Sequence, residues 1–276
     1  MFKGFYTAGS GMIAQQRRTE LLANNLSNSR TPGFKEDRAT IRSFPEMFLA
    51  RMDEQSLPTQ HPLHRRGLAP VGELSTGVYM QETLPNFIQG SLLATELPTD
   101  VALVDIWSTT DPETGEKGTF FFRIEGPNGE EQYTRNGSFA LGPNRELITS
   151  YGAYVLDSNG DRIQLTNDDF TIDSDGRISE TGQVLGIAFS QNPSTLIKQD
   201  NGVFVHPNGE QLVDVSQEEV NMYYNIQQGY VEGSNVDAGR TMTDMMTAYR
   251  TFEANSKVLQ AYDRSMEKAV ELGRLT

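Results

Sequence analysis

The chain has 276 residues, of which 37% are hydrophobic and 22% charged, enough to build one large folded domain or two small ones. Its 23 Lys and Arg against 37 Asp and Glu leave a net charge of −14, which argues against a partner held through a nucleic-acid backbone. With 0 Cys, disulfide staples, thiolate metal sites and thiol nucleophiles are excluded together.

At the N-terminus, Phe2, Phe5, Met12, Ala23 and Leu26 recur as a weak helical stripe, with Gly9, Gln16 and Thr19 filling the same seam. This predicts a helix over about 3–28 that stops at Pro32-Gly33, since the residue before a proline is pushed out of the helical region. Gly4, Gly9 and Gly11 each cost about 1 kcal/mol relative to alanine, so the helix needs a partner. The stretch lacks the apolar core and small-residue site of a cleaved secretory signal, and no apolar run is long enough to span a membrane.

Pro45 at a first helical position, with Met47, Phe48 and Met52 inward, predicts one short helix. Residues 55–75, rich in proline and poor in apolar pattern, read as an extended loop. The period then changes. Thr119–Ile124, Glu131–Arg135 and Val184–Phe189 read as strands. Asn128-Gly129, Asn136-Gly137, Asn159-Gly160, Asp175-Gly176, Asn201-Gly202 and Asn208-Gly209 suit turns with positive φ. Together they predict an all-β body of short antiparallel strands over about 86–215. The acid is concentrated here: residues 41–229 carry a net −16, whereas residues 1–40 carry +3 and residues 230–276 carry −1.

Little chemistry is legible. His61 and His64 flank prolines with no third ligand nearby, and His206 stands far from both. Asp157 to Asp161 and Asp173 to Gly176 echo calcium loops but lack the distal Glu, so hairpin turns account for them. Gly9-Ser-Gly11 lacks the strand and turn of a nucleophile elbow. No catalytic, cofactor-binding or metal-ligating residue is assigned.

The C-terminus gives the clearest pattern. Met242, Met245, Tyr249, Phe252, Ser256, Leu259, Asp263, Met266 and Val270 alternate at spacings of three and four, the mark of a heptad seam. No proline interrupts residues 237–276, and Ser234 or Asn235 is placed to cap a helix over about 237–272. Such a helix is roughly 54 Å long, which suits an assembly element better than an average globular helix.

Three stretches together resemble the bacterial flagellar rod and hook proteins. The first holds Asn24, Asn25, Leu26 and Asn28 and runs through Thr31-Pro32-Gly33-Phe34-Lys35. The second includes Gln89-Gly90-Ser91-Leu92, Asp100 to Leu103, Phe120-Phe121-Phe122 and Tyr133 to Phe139. The third holds Gly229, Glu232, Ser234, Asn235 and Asp237 and continues to Asn255. Length and the tract 55–83 resemble the distal rod protein or its Gram-positive rod-type paralogues. The segment Trp107 to Gly118 and the sequence Leu97-Pro-Thr-Asp100 depart from that pattern.

The resemblance implies an α+β multi-domain fold, with N- and C-terminal helices paired in a coiled-coil-like layer and with a central all-β body of short antiparallel strands. The divisions expected are an N-terminal axial helix over 1–35, a linker region over 36–85, a β-rich body over 86–228 and a C-terminal axial helix over 229–276. The assembly seam is assigned to Phe2, Phe5, Met12, Leu26, Met242, Met245, Tyr249, Phe252, Leu259, Met266 and Val270. The implied function is a structural subunit that polymerises helically into the shaft, since heterologous contacts that do not close generate such filaments. Implied partners are further copies, other rod and hook subunits and the flagellar type III export apparatus, with an extracytoplasmic location reached without a cleaved signal. The competing readings are an exported adhesion or binding module with an acidic β body, and a carbohydrate-active enzyme.

Overall fold

The computed structural model describes residues 3–56, 64–106, 115, 117–167, 170–215 and 224–274. Two units emerge from the contacts. One comprises Met1–Ala23, Ala39–Thr83 and Gly239–Thr276, and the other Asn24–Arg38 and Leu84–Ala238.

The first unit is built on helix α1, Lys3–Ser27, followed by β1 (Asp37–Ser43), β2 (Met47–Ser56), β3 (His64–Leu74) and β4 (Val78–Pro85). β1 pairs with β4, and β2 pairs antiparallel with β3. α1 begins and ends within one residue of expectation, and Thr31-Pro32-Gly33 follows its last turn. The short helix expected after Pro45 is instead the strand β2, and the second half of the expected 55–75 loop is β3. Seven of the ten residues from Met47 to Ser56 are good helix formers, but pairing along ten residues with β3 outweighs local propensity. His61 lies outside the described residues.

In the second unit the core is organised by β7 (Thr119–Glu125), whose run of phenylalanines is buried on both faces. Phe120, Phe122 and Ile124 enter the larger cluster with Val101, Leu147 and Ile187, whereas Phe121 faces Tyr133, Leu196 and Phe204. A strand covered on both faces reads as a continuous apolar run, which is why this one was legible. Before it come β5 (Leu92–Ala94) and β6 (Val101–Asp105); after it come β8 (Glu131–Thr134), β9 (Phe139–Leu141), β10 (Leu147–Thr149), β11 (Tyr154–Val155) and β12 (Ile187–Ser190). β13 (Ile197–Lys198), β14 (Val203–Val205), β15 (Val213–Asp214), β16 (Tyr224–Gln228) and β17 (Tyr230–Glu232) complete the unit.

Nine strands form one sheet in the order β13-β14-β8-β7-β11-β10-β9, with β12 joining β7 to β15. Two further ladders, β6 with β16 and β5 with β17, carry the chain toward its ends. All pairings here are antiparallel. Of the six expected turn glycines, Gly129, Gly160, Gly176, Gly202 and Gly209 have positive φ. Gly137 does not; a Cβ there would collide with the Val101 carbonyl, so this glycine serves close approach of two backbones. Trp107 to Asp111 lies outside the described residues. The chain then returns to the first unit as α2, Ala238–Arg274.

Candidate functional site

Three segments distant in sequence meet inside the strand-rich unit. Thr31-Pro-Gly-Phe-Lys35 leaves α1, Arg135 follows β8, and Gly229 to Asn235 runs through β17. Gly33 turns with φ +69°, donates its N–H to the Glu232 carbonyl at 2.7 Å, and has no room for a Cβ against the backbone of Asn136. That turn delivers Lys35 into the core.

Glu232 is fully buried and shared. Its Oε1 accepts from Lys35 Nζ at 2.6 Å and from the Gly90 N–H at 2.8 Å, while Oε2 accepts from Arg135 Nε at 2.8 Å. Arg135 directs its other donors to Asp105 at 2.8 Å, the Phe120 carbonyl at 2.8 Å and the Leu103 carbonyl at 3.0 Å. Lys35 also donates to the Ile88 carbonyl at 3.0 Å. Two cations thus meet two carboxylates with every charged nitrogen hydrogen-bonded, the condition under which buried charge is tolerated.

Two carboxamides extend the web. Asn235 accepts from the Glu36 N–H at 2.7 Å and donates to the Asn86 and Ile88 carbonyls at 2.7 and 3.0 Å, so it does not cap α2. Asn25, completely buried, donates to the Asp37 carbonyl at 2.8 Å and accepts the Asp37 N–H at 3.1 Å. Asn28 bonds back to Asn24 and accepts from Thr31. Lys198, whose place in the β body suggests a free outward charge, is a further tie: it pairs with Asp37 at 2.9 Å, bonds the Lys35 carbonyl at 2.9 Å and lies 3.9 Å above the Phe34 ring.

Burial, and then repulsion from Arg135, push the Lys35 ammonium down to about 8, against the pull of Glu232. Burial alone would raise the Glu232 carboxyl; the charges of Arg135 and Lys35 overcome it and hold the group below its ordinary 4.5. Arg135 goes the other way, because its two carboxylates outweigh its burial. A carboxylate whose folded value is depressed contributes stability that is fully present above 4.5 and lost as pH falls through the lowered value. For Lys35, the unfolded chain holds a proton between about 8 and 10.5 that the folded chain has released, so its contribution rises with pH there. Thermal melts of the strand-rich unit should therefore weaken below pH 4.5 more steeply in the unsubstituted protein than in Glu232→Gln, with no loss from Lys35 in mild alkali.

In the helical unit, Tyr262 lies on Gly4, and the Asn255 amide would stand 3.0 Å from a Cβ at Gly11. Ala8 and Val258 line the same cleft. The inward stripe of α2 runs Thr241, Met245, Ala248, Phe252, Asn255, Leu259, Tyr262 and Met266, with Thr241 and Ala248 buried and the rest half-buried. Met245, Phe252, Leu259 and Met266 are expected seam residues, but the alternate positions fall one residue earlier than Met242, Tyr249, Ser256 and Asp263. α1 repeats the displacement: Phe5, Met12 and Leu26 are half-buried, while Ala8, Gln15 and Leu22 take the places expected of Gly9, Gln16 and Ala23. Small residues carry the contact, and they weigh little in a hydropathy pattern. Phe2 lies outside the described residues, and Val270 is exposed. Met242, Met246 and Tyr249 form a second, exposed apolar stripe along α2. Among the described residues no cluster of three His, Asp or Glu is placed to hold a metal ion.

Three family models match the chain. A flagella basal body rod protein model matches residues 5–35, a flagellar hook protein FlgE/F/G D1 domain model residues 117–180, and a flagellar basal body rod FlgEFG protein C-terminal model residues 227–272. The chain is 38% identical over 279 residues to the flagellar hook-basal body complex protein FlhO of Bacillus subtilis, covering 100% of both. It is 31% identical to the flagellar basal-body rod protein FlgG of Borreliella burgdorferi, over 99% of this chain and 100% of that one. Likeness to the hook-basal body complex protein FlhP of Bacillus subtilis is 28%, over 96% and 97%.

Proposed function

We propose, from the premise that this chain belongs to the flagellar basal-body rod protein family and is a structural subunit of the basal body, that it polymerises through its terminal helices and carries torque through the buried junction. The observation that carries the reading is the stripe Met242, Met246 and Tyr249, left exposed on a helix that already packs along another face within the chain. An amphipathic surface in excess of what the monomer buries is what an assembling subunit needs.

The junction suits load. The chain passes between its two units after Ala23, Arg38, Thr83 and Ala238. On the strand-rich side all four passages are tied: Asn25 to Asp37, Glu36 to Asn86, and Asn235 to both Glu36 and Asn86. Force entering along one backbone is shared by the others, and the Glu232 cluster anchors the web in the core.

In this reading α1 and α2 pair as an antiparallel coiled-coil-like layer belonging to the axial segments 1–35 and 229–276. The flagellar type III export apparatus delivers the chain with its N-terminus unprocessed. Electron microscopy of concentrated protein should show filaments or stacked rings, and mass spectrometry of assembled material an N-terminus without a 15–30-residue signal removed. Protein that stays monodisperse at every concentration would overturn the assembly reading and favour a binding module.

A further inference from the structure

The two helices are unequal, and the contacts between them fix their offset. Gly4 meets Tyr262 and Gly11 meets Asn255, so facing residues are those whose numbers sum to 266. In this antiparallel alignment Lys3, the first residue of α1, faces position 263. The last nine residues of α2, Met266–Arg274, therefore extend beyond any counterpart in α1. At 1.5 Å per residue this overhang is about 13.5 Å long.

The overhang continues the seam. With about 100° between successive residues, Met266, Val270 and Gly273 lie on the same side of α2 as Leu259 and Tyr262. Val270 is 63% exposed there, and Glu267 and Glu271 run along one edge. An apolar seam that outlasts its own partner calls for a second helix to continue it.

α1 carries a matching face. Tyr6, Ile13 and Arg17 fall within about 40° of one another, on the side turned away from the Gly4, Ala8 and Gly11 contacts. Tyr6 and Ile13 are 68% and 53% exposed. The two span about 10.5 Å, close to the length of the overhang, and are followed on the same side by the basic Arg17, where the overhang is edged by the acids Glu267 and Glu271. Resting on the assembly reading above, we infer that the Met266–Arg274 overhang is the seat for the outer face of α1 of a second copy, a head-to-tail contact between subunits.

The 0 Cys of the chain permits a clean test. Val270→Cys is combined with Ile13→Cys, and separately with Tyr6→Cys, and shafts assembled in cells are oxidised. Within one chain these pairs are out of alignment by 17 and 10 residues, about 25 and 15 Å along the helices, beyond the reach of a disulfide. A ladder of covalent oligomers from at least one pair is the expected result, lost when Glu267 and Glu271 are both changed to Arg. Shafts that assemble but give no ladder from either pair would overturn the seat while leaving the assembly reading intact. Equal dimer formation by Val270→Cys alone would also overturn it, by showing that overhang meets overhang. If the unsubstituted chain forms no shaft, the assembly reading falls and this proposal with it.

Discussion

Glu232→Ala should lower the stability of the strand-rich unit by about 3–5 kcal/mol, the cost of removing one partner from a buried ion pair. For a unit of this size that is a fall of about 6–20 °C in Tm. The effect is large because Glu232 serves two cations at once: without it, Lys35 and Arg135 remain buried as like charges. Lys35 already sits at about 8, so it yields by losing its proton, whereas the Arg135 guanidinium cannot. Asp105 then becomes the sole carboxylate bonded to Arg135 in the cluster, and the Gly90 N–H loses its acceptor. Amide exchange should speed up first at Gly90, which donates to the deleted carboxylate. Glu232→Gln, which keeps the shape and one acceptor, should fall between the two. A melt within about 1 °C of the unsubstituted protein would show that the junction is not what holds the three segments together.

This junction was the least legible part of the molecule, although Lys35, Arg135 and Glu232 each stood inside a stretch that the sequence marked out. Lys35 is separated from Glu232 by 197 residues and Arg135 from Glu232 by 97, and no local period connects them. The signal that was present is placement: Lys35 directly after Phe34, and Glu232 between Val231 and Gly233, are charges set among residues that pack. Both helices were legible because each repeats a simple period over many residues, and β7 because it is a continuous apolar run. β2 was not, because Glu46-Met-Phe-Leu-Ala-Arg-Met contains no β-branched residue and its strand state comes from pairing with β3. Lys198 shows a third kind of failure. Its strand, Ile197–Lys198, is a two-residue edge whose alternation carries no information about what the lysine reaches.

The helical face poses the complementary problem, and Leu259→Asp addresses it. Leu259 is half-buried between Asn255 and Tyr262, the two residues that reach Gly11 and Gly4. Fully burying a leucine contributes about 1.5–3 kcal/mol, and a carboxylate set in its place carries a desolvation cost in addition. The number-sum alignment puts Thr7 opposite, whose hydroxyl already donates to the Lys3 and Thr76 carbonyls and is not free for the new carboxylate. The variant should lose shaft assembly and motility while the strand-rich unit, with its own core and junction, keeps its thermal transition. Lys198 is unsuitable as the charge control because it pairs with Asp37; Asn208→Asp is the better choice, an exposed turn position that adds the same negative charge. Loss of assembly in both variants would point to charge alone, and Leu259→Asp cells that still swim would show that the helices pack without this seam. Assembly lost in Leu259→Asp and retained in Asn208→Asp is the expected outcome, because the penalty recurs in every subunit: a defect of about 2 kcal/mol per contact is roughly a thirtyfold loss at each addition to the polymer.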